Sequence, residues 1–239
     1  MITVIIEDKN LNNEKNKVII KDKNDINHLK NSFRVKIKEI IRAVDGKNEY
    51  ICEVENIEKK EITLNVLETR QHVEVKSIEI TAGVSIIKND KMELVLQKLT
   101  EIGVDKILPV ETKRTIVKLK EKKDKWDVVV REATKQCQRV NFLEVLDIKK
   151  LKEIDFSAYD LVIVPYECEE EKSLKNLLRN LKETPKKVFY LVGPEGGFDI
   201  SEIEYLNSIE NVNVVSLGKN ILRAETASIV VGGILVNEF

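Results

Sequence analysis

Leu191-Val192-Gly193-Pro194-Glu195-Gly196-Gly197-Phe198 follows directly on an apolar run over 188–192. Three glycines and a proline after a β-branched and aromatic run predict a tight loop at the C-terminal end of a strand, with backbone N–H groups exposed. In open α/β sheets ligands bind at that end. Asp199 and Ser201 then offer N-caps for a helix, and Glu204 stands three residues after Ser201, the spacing of a capping box. The next apolar run, 212–217, leads into a second informative loop, Ser216-Leu217-Gly218-Lys219-Asn220-Ile221-Leu222-Arg223-Ala224-Glu225-Thr226-Ala227. An apolar helix is expected over 227–236. Glu225 and Thr226 fall in or near its first turn, where an acid and a capping hydroxyl are favourable. Arg223 stands just before it in a loop, where a guanidinium fork can meet a phosphate or a carboxylate.

Upstream, the pattern extends as strands alternating with helices. Compact apolar runs at 161–165 and 104–110 read as strands, and 75–87 holds another. Met92, Val95, Leu96, Leu99 and Ile102 have helical spacing over 89–102, with Gly103 where a C-cap is expected. Trp126, Val129, Val130, Ala133 and Cys137 share a second helix face. Such alternation predicts a parallel α/β sheet. The two glycine-bearing loops are expected at the same end of adjacent strands.

The N-terminal part reads differently. Apolar runs at 2–6 and 18–20, a helical segment over 26–33, and an Asp45-Gly46 hairpin turn between strands at 37–44 and 50–54 precede the alternating Ile62, Leu64 and Val66. A small antiparallel barrel is expected, ending near 70–74. The division is therefore 1–72 and 73–239.

Composition bounds what the chain does. A net charge of −1 over 239 residues gives no global attraction to nucleic acid or to anionic lipid. Locally, 17–42 carries 8 Lys/Arg against 3 Asp/Glu, and 112–140 carries 10 against 4, two candidate phosphate-binding stretches. Cys52, Cys137 and Cys168 are far apart and form no CxxC pair, so neither a metal site nor a disulfide framework is expected. The N-terminus lacks a signal-peptide pattern and no apolar run is long enough to span a bilayer, so the expectation is a cytoplasmic protein. No GxGxxG and no GxxxxGK[ST] occurs, which removes the commonest nucleotide-binding loops.

The two loops, in this wording and order, resemble the SPOUT class of methyltransferases and more closely its RsmE family, the 16S ribosomal RNA uracil-N3 methyltransferases. That family ends with a GPEGG loop and a LGxxILRxETA segment, both present here. Lys91-Met92-Glu93 with Gln97-Lys98-Leu99-Thr100-Glu101-Ile102-Gly103-Val104 is similar to the family's KxE…QKxxELGV helix. Pro109, Lys113-Arg114-Thr115, Trp126 and the stretch Glu132 to Arg139 match a further pattern. His28-Leu29 with Phe33-Arg34 resembles the N-terminal HLxxxLR. Departures are Lys219-Asn220 for Pro-Arg, Ala224 for Thr, Lys135 for Glu and Gln138 for Gly.

The resemblance implies a SPOUT-type parallel sheet with a C-terminal deep trefoil knot, a PUA-like RNA-binding barrel before it, and a homodimer. It implies S-adenosylmethionine as methyl donor, without a metal, and 16S ribosomal RNA or the small ribosomal subunit as partner. Leu191, Gly193, Pro194, Gly197, Leu217, Gly218, Ile221, Leu222 and Thr226 would form the cofactor pocket, largely through backbone groups. Arg223 would stabilise the uracil anion, with Glu195 and Glu225 orienting it or accepting the N3 proton. His28 and His72 lie in the N-terminal part and are poor candidates for that proton. Arg34, Arg114 and Arg139, in the basic stretches and outside the cofactor loops, would contact RNA. Three other readings compete: a non-catalytic RNA-binding protein, a SPOUT enzyme acting on transfer RNA, and an α/β protein for another nucleotide. Intact cofactor loops oppose the first, the near full-length resemblance opposes the second, and the missing nucleotide motifs weaken the third.

Overall fold

A computed structural model describes residues 1–71 and 78–239. His72, the expected boundary between 72 and 73, and the start of the strand expected over 75–87 lie outside the described residues. The chain forms two compact units, residues 1–75 with 131–142, and residues 76–130 with 143–239.

In the first unit, β1 (Thr3–Ile5), β2 (Lys17–Ile20), β3 (Ile40–Val44), β4 (Asn48–Ile57) and β5 (Ile62–Gln71) form one sheet in the order β1-β3-β4-β5-β2. All pairs are antiparallel except β1 with β3, which is parallel. The expected all-antiparallel arrangement fails there for a physical reason. A tight turn reverses the chain between β3 and β4, whereas β1 and β3 are joined by the excursion through β2 and a helix. Gly46 makes that turn at φ 92, and Asp45 braces it by accepting from the Lys47 and Asn48 amides at 2.8 and 2.6 Å and from the Tyr50 hydroxyl at 2.8 Å. The expected helix is α1 (Lys23–Asn27), capped by Asp22 and continued by a wide π turn over His28–Ser32 that buries Leu29. Val18, Ile41, Val54, Ile62 and Leu64 are fully buried between these elements. Burial also pushes the Cys52 thiol up to about 12, which makes it an inert core residue.

The second unit is built on a parallel sheet, as the alternating pattern predicts. Its strands are β6 (Glu79–Ser85), β7 (Lys106–Glu111), β8 (Glu144–Val145), β9 (Lys149–Lys150), β10 (Leu161–Pro165), β11 (Lys187–Val192) and β12 (Val212–Val215). Their order is β12-β10-β11-β6-β7-β8, with β9 also paired to β7, and every pairing is parallel. The helices are α2 (Asn89–Ile102), α3 (Asp124–Cys137), α4 (Leu174–Arg179), α5 (Ile200–Asn207) and α6 (Ala224–Glu238). Residues 131–137 of α3 count with the first unit.

On one side of the sheet α2 packs against α6. Met92, Val95, Leu96 and Leu99 are fully buried, as their spacing requires. Gly103 closes α2 at φ 108 with its N–H on the Leu99 carbonyl at 3.1 Å. The α6 helix buries Ala227, Val231 and Leu235 and leaves Val230 and Ile234 exposed, and the buried Tyr190 hydroxyl of β11 donates to its Ser228 carbonyl at 3.0 Å. A further core joins Leu108, Val162, Phe189, Leu191 and Leu206, with Phe156 edge-on to Phe189.

Candidate active site

The two loops picked out in the sequence do not follow neighbouring strands. β10 lies between β11 and β12. Three loops therefore converge at the C-terminal end of the sheet, and the middle one begins at Pro165, Tyr166 and Glu167. The Tyr166 amide donates to the Val215 carbonyl at 2.9 Å, and Ser216 donates its amide to the Lys172 carbonyl at 2.7 Å and accepts from the Leu174 amide at 3.1 Å, so the middle loop is laced to the one after β12. Between the three loops lies a cleft of about 630 Å³, counting the space open to solvent.

Of the residues expected at a cofactor, Gly193, Pro194, Gly197, Leu217, Gly218, Ile221 and Leu222 line this cleft. Leu191 and Thr226 do not. The Leu191 side chain is fully buried in the core and its backbone lies within β11 opposite Gly83 of β6, and Thr226 is exposed on α6. Pro165, Tyr166, Glu167 and Ser216 also line it and were missed. The signal was available: 161–165 reads as a strand, and any residue just after such a strand is a candidate at that end of the sheet.

Gly197 shows why the loop must be glycine-rich. Its φ is 67, in the left-handed region, and a Cβ there would stand 2.5 Å from Oε1 of Glu167. A side chain at 197 is strained by the backbone and drives into the cleft. Gly218, at φ 127, requires glycine for backbone conformation alone, since nothing lies within 4 Å.

A fourth loop braces the glycine loop from outside. After β7, Arg114 donates from Nη1 to the Gly196 carbonyl at 3.0 Å and lies 3.7 Å from Asp199. Arg114 was expected outside the cofactor loops; the structure places it on one. The helix start differs from expectation too. α5 begins at Ile200, so Asp199 is the N-cap and Glu202, not Glu204, completes the box. Buried Glu202 accepts from the Asp199 amide at 3.0 Å and from the Lys113 amide at 2.8 Å, joining the two loops.

Hydrogen bonds from the Ser201 hydroxyl, then from the Lys113 ammonium and the Ser201 amide, hold the Asp199 carboxyl down at about 2. A depressed carboxyl contributes stability that is complete above its unfolded value, near 4, and is lost as pH falls towards the folded one. Asp199→Asn keeps a capping oxygen but removes the charge. Its melting temperature should lie below that of the parent by a constant gap from pH 7 to about 4, and the gap should shrink below pH 4. A gap unchanged down to pH 3 would show that the charge is not what α5 and Lys113 use.

At the cleft's other edge, α6 starts earlier than expected, so Glu225 and Thr226 are inside its first turn and Arg223 is the N-cap residue, without a side-chain cap bond. Arg223 is exposed, and among the described residues its guanidinium makes no hydrogen bond or ion pair. Glu195 and Glu225 do not orient it. Both approach Lys91 of α2 instead, whose Nζ lies 3.9 Å from Glu195 and 3.6 Å from Glu225. Glu195 is exposed, whereas Glu225 is buried and its Oε2 has no hydrogen-bond partner among the described residues. Lys91 was quoted in the sequence for its motif only; its place between the two carboxylates became visible with the fold.

The remaining expected RNA contacts are in the first unit. Arg34 is exposed at φ 53, next to Phe33, whose ring lies 4.6 Å from that of His28. Arg139 is half-buried and donates from Nε to Asn141 at 3.2 Å, and its carbonyl accepts from Arg42 at 3.4 Å. Gln138 sits at φ 62, which accounts for the glycine common at that place in the pattern it resembles. Among the described residues no group of His, Cys, Asp or Glu is arranged to hold a metal ion, and no helix is long and apolar enough to cross a membrane.

Comparison with known proteins agrees with this geometry. The RNA methyltransferase domain family matches residues 74–236, and the RNA methyltransferase PUA domain family matches 20–67. The ribosomal RNA small subunit methyltransferase E of Rickettsia conorii is 30% identical over 222 residues, which is 90% of this chain and 88% of that protein. The Bacillus subtilis protein of the same name is 28% identical over 214 residues, 85% of this chain and 83% of its own. A crystal structure of ribosomal RNA small subunit methyltransferase E from Neisseria gonorrhoeae, bound to S-adenosyl methionine, superposes with a TM-score of 0.82 at 27% identity, covering 99% of this chain and 97% of that one. With the three loops at one end of a parallel sheet and matches that span nearly the whole sequence, the chain belongs to the ribosomal RNA small subunit methyltransferase E family of RNA methyltransferases.

Proposed function

We propose that this protein transfers the methyl group of S-adenosylmethionine to N3 of a uridine in 16S ribosomal RNA. The observation that carries the reading is the cleft between the loops after β10, β11 and β12, with a side-chain-free backbone at Gly193 and Gly197 on its wall. The cofactor, when bound, supplies an electrophilic methyl on a sulfonium. The residues fit such a ligand: backbone at Gly193, Leu217 and Leu222 for polar edges, Pro194, Leu217, Ile221 and Leu222 for apolar ones.

The uracil N3–H is protonated at neutral pH, so the site must accept a proton and stabilise an anion. Arg223 is assigned the second task, because its guanidinium is exposed beside the cleft and uncommitted among the described residues. Of the two glutamates, exposed Glu195 is assigned the proton and buried Glu225 the closer approach to Lys91. A C-terminal deep trefoil knot is part of this reading, carried by the resemblance of the two glycine-bearing loops to the family. A homodimer is supported by Leu94 of α2 with Val230 and Ile234 of α6, which leave apolar surface exposed on the paired helices. The setting is the cytoplasm, where the small ribosomal subunit is available.

The first unit, PUA-like by its family match, is assigned to RNA, with Arg34 as a phosphate contact. Arg139 is engaged with Asn141 and Arg114 with the glycine loop, so each shapes its surroundings as well as adding positive charge for RNA. Arg34→Ala should weaken RNA binding and lower the slope of log affinity against log salt by about 1 or less, one phosphate contact's worth. S-adenosylmethionine affinity should hold. An unchanged slope would show Arg34 to be solvated surface. The function itself is tested by incubating the protein with S-adenosylmethionine and undermethylated small subunits or free 16S RNA, then mapping the modified nucleoside. N3-methyluridine in 16S RNA is expected; a product in transfer RNA, or on another atom, would overturn the assignment.

A further inference from the structure

The cleft wall carries two charged side chains among the described residues, Glu167 and Lys219. Glu167 follows β10 in the middle of the three loops. Its Oε1 lies 2.5 Å from where a Cβ of residue 197 would be, so the carboxylate is drawn against the backbone of the glycine loop in the space that Gly197 leaves open. Among the described residues the Glu167 carboxylate has neither a hydrogen bond nor an ion pair. The neighbouring backbone is fixed: the Tyr166 amide is bonded to Val215, and its carbonyl accepts from the Glu169 amide at 3.2 Å. An anion that faces a ligand cleft from a held loop, without an ion-pair partner among the described residues, is placed for a cation on the ligand.

We infer that Glu167 is a cofactor-recognition residue whose carboxylate receives a cationic centre of S-adenosylmethionine. This rests on the reading of the cleft as the cofactor site. Two centres share that chemistry, the α-ammonium of the methionine moiety and the sulfonium. The sulfonium is lost when the methyl is transferred, so a carboxylate directed to it would favour the substrate form of the cofactor over the product, whereas one directed to the ammonium would hold both alike. The inference also gives Gly197 a second reason to be glycine, since a side chain there would displace the carboxylate as well as narrow the cleft.

Titration calorimetry on the full chain and on Glu167→Gln separates these cases with three ligands. S-adenosylmethionine carries both cations, S-adenosylhomocysteine the ammonium alone, and 5′-methylthioadenosine neither. The Gln variant keeps size and shape and removes the charge. An ammonium partner predicts about a tenfold loss of affinity for the first two ligands, the scale of a hydrogen bond to a charged group. A sulfonium partner predicts that loss for S-adenosylmethionine alone. In both cases 5′-methylthioadenosine should bind the variant as it binds the parent, and Glu167→Asp should recover part of the loss. Equal affinity of parent and Gln variant for S-adenosylmethionine would overturn the inference. So would a loss of the same size for 5′-methylthioadenosine, because that ligand has no cation to lose. Failure of the parent chain to bind S-adenosylmethionine would instead remove the reading of the cleft on which the inference stands.

Discussion

Gly197→Arg should reduce S-adenosylmethionine binding below detection while the fold survives. Residue 197 sits at φ 67, where an L side chain costs about 1 kcal/mol or somewhat more, a price an otherwise intact domain of this size tolerates. The arginine then has nowhere to go except into or across the cleft. Its first carbon already crowds the Glu167 carboxylate, and Gly193, Pro194 and Leu217 wall the same cleft. Calorimetry and a melting curve together check this. Undiminished affinity would take the glycine loop out of the site. Gly197→Ala should be intermediate, carrying the backbone strain and the displacement of Glu167 without filling the cleft.

Much of the second unit was legible because local pattern and burial agree. Met92, Val95, Leu96 and Leu99 repeat at helical spacing and are all buried, Gly103 ends the helix where the spacing ends, and each compact apolar run became a strand of the parallel sheet. What the sequence does not carry is strand order. Nothing in 161–165 says that it lies between two later strands, and so the third loop with Glu167 was missed although the strand before it was not. Side-chain partners across loops were hidden for the same reason. Arg114 reads as one more cation in a basic stretch until the sheet brings it to Gly196, and Lys91 reads as a helix surface residue until α6 delivers Glu225 to it. In the first unit the hairpin at Asp45-Gly46 is local and was readable. The parallel pairing of β1 with β3 is decided by a distant segment of chain, and was not.

Arg223→Ala should slow methyl transfer by about a hundredfold to a thousandfold at saturating cofactor and RNA, the usual cost of losing one electrostatic donor aimed at a developing anion. The argument begins with what Arg223 does not do. Its side chain caps no helix and pairs with no carboxylate among the described residues, and Glu195 and Glu225, the partners expected from the sequence, approach Lys91 instead. Removing it therefore breaks no internal ion pair, and the melting temperature should stay near that of the parent, as for other exposed substitutions. Its backbone, which accepts the Ala227 amide at 2.8 Å to begin α6, is unaffected by the change. A donor that matters in proportion to the charge on the uracil interacts more strongly in the transition state than in the ground state, so the loss should fall on the rate of the chemical step and little on the binding of either substrate. Lysine at 223 should recover only part of the rate, because a point charge replaces a planar fork. Raising the pH should rescue the alanine variant more than the parent, since free uracil anion becomes available as hydroxide takes the N3 proton. Single-turnover methylation across a pH series measures all of this at once. A variant that binds RNA poorly yet turns over normally once saturated would return Arg223 to a phosphate-binding role, and an equal response of both proteins to pH would separate it from the ionisation of the base.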